Sequence, residues 1–257
     1  MNDNFIEFFV FIGMGYFVYF FTSALKFTHE QQQFSDARKS ALDALMALFI
    51  GWAAISGLFL LFSIMGISAG KHQEFGLWNV IRQSMLACLF FGPALIVMRR
   101  RHETLSSAGI TKHNLGKSAL LGIILSALMF LFNAIAKRFD TGEVLRSFSL
   151  SDFWALMTFL VVGISEEFGF RGYLQTRLTL WFGTIWGWGM ASTLMAVAHV
   201  VQRITIMGMS GTDAIVSSLS LIPISLLFGY IMLRTENVVA GTILHTFIDW
   251  SSVIWFT

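Results

Sequence analysis

Apolar residues run in long blocks broken by short polar segments, without the strict alternation of a half-buried strand. A helix needs about 20 mostly apolar residues to cross a bilayer. Between polar breaks such runs fall at roughly 5–25, 41–65, 77–98, 118–135, 152–182, 184–201, 214–233 and 238–256. The pattern predicts an all-α fold, a polytopic membrane helix bundle of about eight transmembrane helices. The first four runs are bounded by loops carrying Lys, Arg, Glu or Gly. The last four hold nearly all the ionisable residues expected at membrane depth. The chain therefore divides into N-terminal transmembrane helices of unassigned role, 1–151, and a four-helix core, 152–257.

Composition supports this class. Of 257 residues 56% are hydrophobic and 12% charged, against about 25% charged in soluble domains. Neither disorder nor a disulfide scaffold fits an apolar chain with one cysteine. Cys88, in an apolar stretch, reads as a small buried hydrophobe. A net charge of +2 gives no footing for a nucleic-acid partner, so the expected partners are the lipid bilayer and a membrane-associated peptide or protein. The N-terminus MNDNFIEFF has no basic region and no small-residue cleavage site after it, so the first span is expected to be retained. No internal repeat or long linker appears, and Gln31–Gln33 is too short a run to be one. Small residues at Gly183 and Gly187, and at Ser192 and Ala196, predict close helix approach.

Basic residues set orientation. Lys26, Arg38, Lys39, Arg99, Arg100, Arg101, Lys112, Lys117, Arg171, Arg177 and Arg234 fall on one side of an eight-span chain, eleven in all, or ten if Arg171 is buried. Lys71, Arg82, Lys137, Arg138, Arg146 and Arg203 make six on the other. The first side is expected in the cytoplasm, with both termini outside. The short loops and lack of appended domains point to a bacterial inner (plasma) membrane.

A charge near the bilayer centre costs about 2.5–3.5 kcal/mol on insertion scales, so each one there asks for a reason. Glu7, Asp43 and Arg82 lie near span ends, where snorkelling is the first account and a helix-packing salt bridge the next. His29, His72, His102 and His113 fall in loops and are expected to be solvated. His199 and His245 sit instead on strongly apolar helices, as do Glu166, Glu167 and Arg171. Asp249 follows His245 at i+4, on one helix face. If the fifth and sixth spans form a hairpin turning at Gly183, Glu166 and His199 lie 17 and 16 residues from the turn, at one depth. His245 lies only nine residues past Glu236, and a turn dipping into the membrane would bring it level. Adjacent glutamates on a helix point about 100° apart, so Glu167 is free to pair with Arg171 while Glu166 faces His199 and a cavity. A carboxylate beside imidazoles, reachable by water, suits a general base for hydrolysis. Two histidines and a carboxylate are also a common zinc set.

In these residues the sequence resembles the CPBP family of intramembrane proteases, which includes the eukaryotic type II CAAX prenyl endopeptidase and bacterial Abi proteins. The family's first motif, two glutamates, three residues and an arginine, reads EEFGFRG here, Glu166 to Gly172. Its second, phenylalanine, three residues and histidine, falls on Met195 to His199, where the phenylalanine is replaced. Its third, histidine, three residues and asparagine or aspartate, is His245 to Asp249. The resemblance covers roughly 152–257. It implies an intramembrane endopeptidase that hydrolyses a peptide bond of a membrane-associated or prenylated, CAAX-type substrate. Glu166 would activate the water, with His199, His245 and Asp249 completing the catalytic cluster and Glu167 and Arg171 supporting it. A metalloprotease holding zinc through Glu166, His199 and His245, and a metal-free glutamate mechanism, both fit the motifs. No HExxH sequence is present. Met195 is expected to change packing beneath His199, not chemistry. A proton-coupled transporter and a catalytically silent scaffold or immunity protein are the alternatives.

Overall fold

The computed structural model describes residues 3–29, 36–65, 74–140, 144–145 and 147–256; the side chains of 3–8, 139–140, 144–145 and 255–256 lie outside that description. Lys71, His72, Arg146, the Gln31–Gln33 run and the Glu7 side chain therefore fall outside the described residues. The helices are α1 (Asp3–Ala24), α2 (Ala37–Ile64), α3 (Leu77–Arg100), α4 (Leu115–Asp140), α5 (Leu150–Glu166), α6 (Thr176–Phe182), α7 (Thr184–Thr205), α8 (Gly211–Leu219), α9 (Ile222–Thr235) and α10 (Val239–Ser251). A 3-10 turn, Leu105–Ala108, precedes α4, and a π-helical segment, Glu167–Gln175, joins α5 to α6. Val144–Leu145 pairs antiparallel with Trp255–Phe256, tying the approach to α5 to the end of the chain.

Local sequence sets the helix starts. The Asp36 side chain accepts from the Lys39 N–H at the head of α2, and Ser149 with Asp152 forms a reciprocal capping box at the head of α5. Gly183, with φ +82°, makes the sharp turn between α6 and α7. Beside it Gly187 lies against the α6 backbone, where a Cβ would come within 2.3 Å of the Thr179 nitrogen. The small-residue spacing does mark a close helix approach there.

Six helical stretches among the described residues are long and apolar enough to cross a membrane: Ala37–Ile64, Leu77–Arg100, Leu115–Arg138, Leu150–Phe182, Thr184–Thr205 and Gly211–Thr235. The chain is an integral membrane protein. These six coincide with the second to seventh expected spans; the expected count of about eight is not confirmed among the described residues. Of α1, Asp3–Ala24, the stretch Phe9–Ala24 is apolar and described to its side chains, and α10 has 13 residues. At 1.5 Å per residue α10 covers about 20 Å, short of a bilayer core of about 30 Å.

The α9–α10 turn explains the short last helix. Thr235 and Asn237 are fully buried, and the loop between α3 and α4 covers them. The Asn237 amide donates to the Thr111 and His113 carbonyls, both at 2.9 Å, and the Val238 N–H donates to the Gly109 carbonyl at 3.1 Å. The chain thus turns beneath the protein surface, and α10 begins already at depth. Burying these backbone groups is tolerable because each has a partner.

Several expectations change. Cys88 is exposed, on an outer face of α3 shared with Met85 and Leu89, where a thiol meets lipid as readily as an alkyl group. Asp43 does not snorkel: Arg101 Nη2 lies 2.5 Å from its carboxylate, so a packing ion pair holds α2 to the end of α3. Exposed His29 bonds Glu236 at 2.9 Å, and His113 Nε2 lies 2.8 Å from the Thr28 carbonyl, so both stitch loops together. Arg177 and Arg171 are both buried, which leaves nine basic residues on the first side against six. Arg177 binds the Glu103 carboxylate and lies 4.0 Å above the Tyr173 ring, pinning α6 to the loop after α3.

Candidate active site

Glu166 is the last residue of regular α-helix in α5, and Glu167 the first of the wide π-helical segment. The two side chains part there. Glu167 is 1% exposed and Glu166 19%, so one carboxylate is sealed in protein and its neighbour faces a cavity. Glu166 Oε1 lies 3.7 Å from His199 Nε2, and its Oε2 lies 4.0 Å from His245 Nε2. Counting residues about Gly183 had put Glu166 and His199 at one level; the buried α9–α10 turn brings His245 to the same level. Asp249 Oδ2 is 3.5 Å from His245 Nε2, one turn along α10. All six residues singled out from the sequence meet in one cluster.

Close backbone approach makes this possible. Gly163 in α5 lies against α10, where a Cβ would stand 2.8 Å from Thr246 Oγ1 and 3.1 Å from the Thr242 carbonyl. Gly241 clears space for Glu167, whose Oε2 would be 2.7 Å from an added Cβ. A bulkier residue at either position would push α10 away from α5 and separate His245 from both glutamates.

Each imidazole is anchored through Nδ1. His199 Nδ1 lies 2.9 Å from the Met195 carbonyl, which can only accept, so Nδ1 carries the proton and a neutral ring offers a lone pair at Nε2. That bond uses the Met195 backbone, which any residue would supply; the Met195 side chain is buried and lines the cavity, a packing role. His245 Nδ1 lies 3.1 Å from Glu167 Oε1 and donates to it in the same way. Such partners fix tautomer and ring orientation. Arg171 Nη1 is 3.6 Å from the same Glu167 oxygen, so Glu167 serves arginine and imidazole together.

Three contributors carried no signal in the sequence. Ser225 accepts a bond from Arg171 Nη2 at 3.1 Å and donates its own hydroxyl hydrogen bond to the Ser192 carbonyl. Phe228 stacks on His245, ring centroids 5.0 Å apart, and also packs under the Arg171 guanidinium. Trp52 of α2 donates to the carbonyl of Ala198, beside His199. None belongs to a motif, because each acts through a helix distant in sequence.

The cluster forms the floor of a cavity of about 580 Å³. Its wall reaches Phe75, Met207 and Ser252, which lie just outside the ends of α3, α7 and α10 on one face of the bundle. α2 and α3 complete the wall with Trp52, Leu86 and Phe90.

The donor types suit zinc, but the arrangement does not close on it. Tetrahedral zinc with bonds of about 2.0 Å sets its ligand atoms about 3.3 Å apart, against 3.7 and 4.0 Å here. Among the described residues no three His, Cys, Asp or Glu side chains are placed to hold a metal ion.

Residues 148–251 match the family model described as Type II CAAX prenyl endopeptidase Rce1-like, a stretch that contains every residue of the cluster. This segment resembles that family. No curated protein and no solved structure matches the chain. As an Rce1-like segment, 148–251 begins just before α5 and ends at the last residue of α10, whereas α2 and α3, which wall the cavity, lie outside it.

Proposed function

We propose that the protein is an intramembrane endopeptidase, a hydrolase that cleaves a peptide bond of a membrane-associated or prenylated, CAAX-type substrate by a glutamate-activated water. The observation that carries this is Glu166, at the floor of the cavity and flanked by two imidazoles whose outer nitrogens are each anchored. The water hydrogen-bonds to Glu166 through one O–H and to His199 Nε2 through the other, which aims its oxygen lone pair at the scissile carbonyl; on attack only the first proton passes, to Glu166. Attack gives a tetrahedral oxyanion. His245, as imidazolium, donates its Nε2 proton to that oxygen, with Asp249 as counter-charge at 3.5 Å. Glu166 then passes its proton to the departing amine, so a carboxylic acid and an amine are released and the carboxylate is restored. Glu167 and Arg171 are positioning residues, acting through His245. The catalytic core is 152–257, with α2 and α3 closing its cavity.

We place the protein in a bacterial plasma membrane with both termini outside, on the excess of basic residues across the opposite face. Cleavage of a fluorogenic farnesylated CAAX peptide by the purified protein is expected, and Glu166→Gln should abolish it without loss of folding. Equal turnover by that variant would overturn the mechanism. Persistence in chelator is expected; loss in chelator with recovery on added zinc would assign a metal to Glu166, His199 and His245.

A further inference from the structure

Two cations from different helices converge on the end of α1, on the face of the bundle opposite the one the cavity reaches. Arg234, the next-to-last residue of α9, donates from Nε to Thr22 Oγ1 at 3.0 Å and from Nη2 to Ser23 Oγ at 3.1 Å. Its guanidinium lies 5.3 Å from the centre of the Tyr19 ring. Lys117, in the first turn of α4, donates from Nζ to the Lys26 carbonyl at 3.0 Å and lies 5.6 Å from the Phe27 ring. Lys26, just past α1, brings a third charge to the same joint, and its side chain makes no hydrogen bond or ion pair among the described residues. None of the three cations has a carboxylate partner among those residues. Glu236, two residues past Arg234, is bonded to His29.

Helix capping does not account for these charges. Lys26 has φ +49°, its N–H bonds the Ser23 carbonyl at 3.2 Å and the Phe27 N–H bonds the Thr22 carbonyl at 3.1 Å, the paired bonds of a Schellman turn. The backbone closes α1 by itself. Glycine would make this left-handed turn without strain; lysine in its place adds an ammonium. The α1 dipole offers only about half a negative charge against three positive ones.

Depth selects the anion. Arg234 and Lys117 stand at the ends of the apolar stretches Gly211–Thr235 and Leu115–Arg138, at headgroup level. Tyr19 and Phe20 are exposed on α1, and Leu120 is exposed on α4 one turn beyond Lys117, so an aromatic and apolar surface borders the joint. A phospholipid lays its chains on that surface and sets its phosphate against the cations. A zwitterionic head would bring a further ammonium to three others, which favours a head of net negative charge.

We infer that the joint of α1, α4 and α9 binds the phosphate headgroup of an anionic phospholipid through Arg234, Lys117 and Lys26. Its occupancy ties α1 and α4, which lie outside the 148–251 segment, to α9, which carries Ser225 and Phe228 beside the cluster. The site is independent of the peptidase chemistry.

The test is lipid binding by the full chain in an uncharged detergent, with fluorescent phosphatidylglycerol and phosphatidylcholine of identical chains as probes. Wild type should bind phosphatidylglycerol about tenfold or more tighter. In Lys117→Gln and in Arg234→Gln that ratio should fall toward one. Arg38→Gln and Arg100→Gln, in exposed basic residues of α2 and α3 on the same face, should keep it. Equal binding of the two lipids by wild type, a ratio that survives both joint substitutions, or an equal loss in all four variants overturns the site. Arg234 and Lys117 also hold α1, so Lys26→Gln supplies a reading free of folding: its side chain makes no described bond, and the ratio should fall severalfold at an unchanged melting temperature. An unchanged ratio in that variant overturns the three-cation site. Inorganic phosphate separates the sources of anion. Displacement of the labelled lipid by inorganic phosphate as readily as by unlabelled phosphatidylglycerol would give the cations to a soluble anion and overturn the inference.

Discussion

Glu166 and Glu167 share a side-chain type and a peptide bond, and burial alone gives them different work. Replacing Glu166 with Gln keeps volume and removes only the base. Turnover should fall by about 10²–10⁴ with little change in melting temperature. Glu167→Ala is a structural injury first, because it leaves the buried Arg171 guanidinium uncompensated. It should cost about 3–5 kcal/mol, read as a lowered melting temperature, before any assay of activity. Comparing the two variants by thermal melt and kcat separates base from support. The residue scale was the most legible in the sequence, since charge on an apolar helix announces itself. Glu166 and His199 could even be set level by counting from Gly183. Ser225 and Phe228 could not be found this way, because a serine or phenylalanine in a membrane helix is unremarkable until Arg171 or His245 is seen beside it.

Among the elements, the joint between α5 and α10 sets the distance from the glutamates to His245. Gly163→Leu should force the helices apart and lower kcat more than it raises KM, since the site is opened while the mouth of the cavity is left alone. A selective rise in KM would contradict this. The α9–α10 turn has a complementary role. Asn237→Ala removes two side-chain bonds to the covering loop, so stability should drop by about 2–3 kcal/mol, measurable by denaturation in detergent. The turn also shows where periodicity stops being informative. An apolar run from 238 to 256 looks like a span, yet the helix within it ends at Ser251 and begins under protein cover. Hydropathy reports what a segment can be buried in, not whether lipid or protein does the burying.

For the whole molecule, the cavity reaches the face on which the described chain starts and ends, the face that the proposed orientation puts outside. In a Cys88→Ser background, a cysteine at Ser252 should react with an impermeant maleimide added to intact cells, and one at Lys112 only after permeabilisation. The reverse pattern would invert the orientation. Helical architecture and the membrane setting were plain from composition. The share of α2 and α3 in the cavity was not, because a wall is made by residues far apart in sequence and ordinary in type. That wall lies outside the 148–251 segment, so the cluster proposed to carry out hydrolysis and much of the surface proposed to meet a substrate are carried on separate stretches of chain. The two can drift at different rates in evolution: substitutions along α2 and α3 can redirect which peptides are accepted while the inherited chemistry stays untouched.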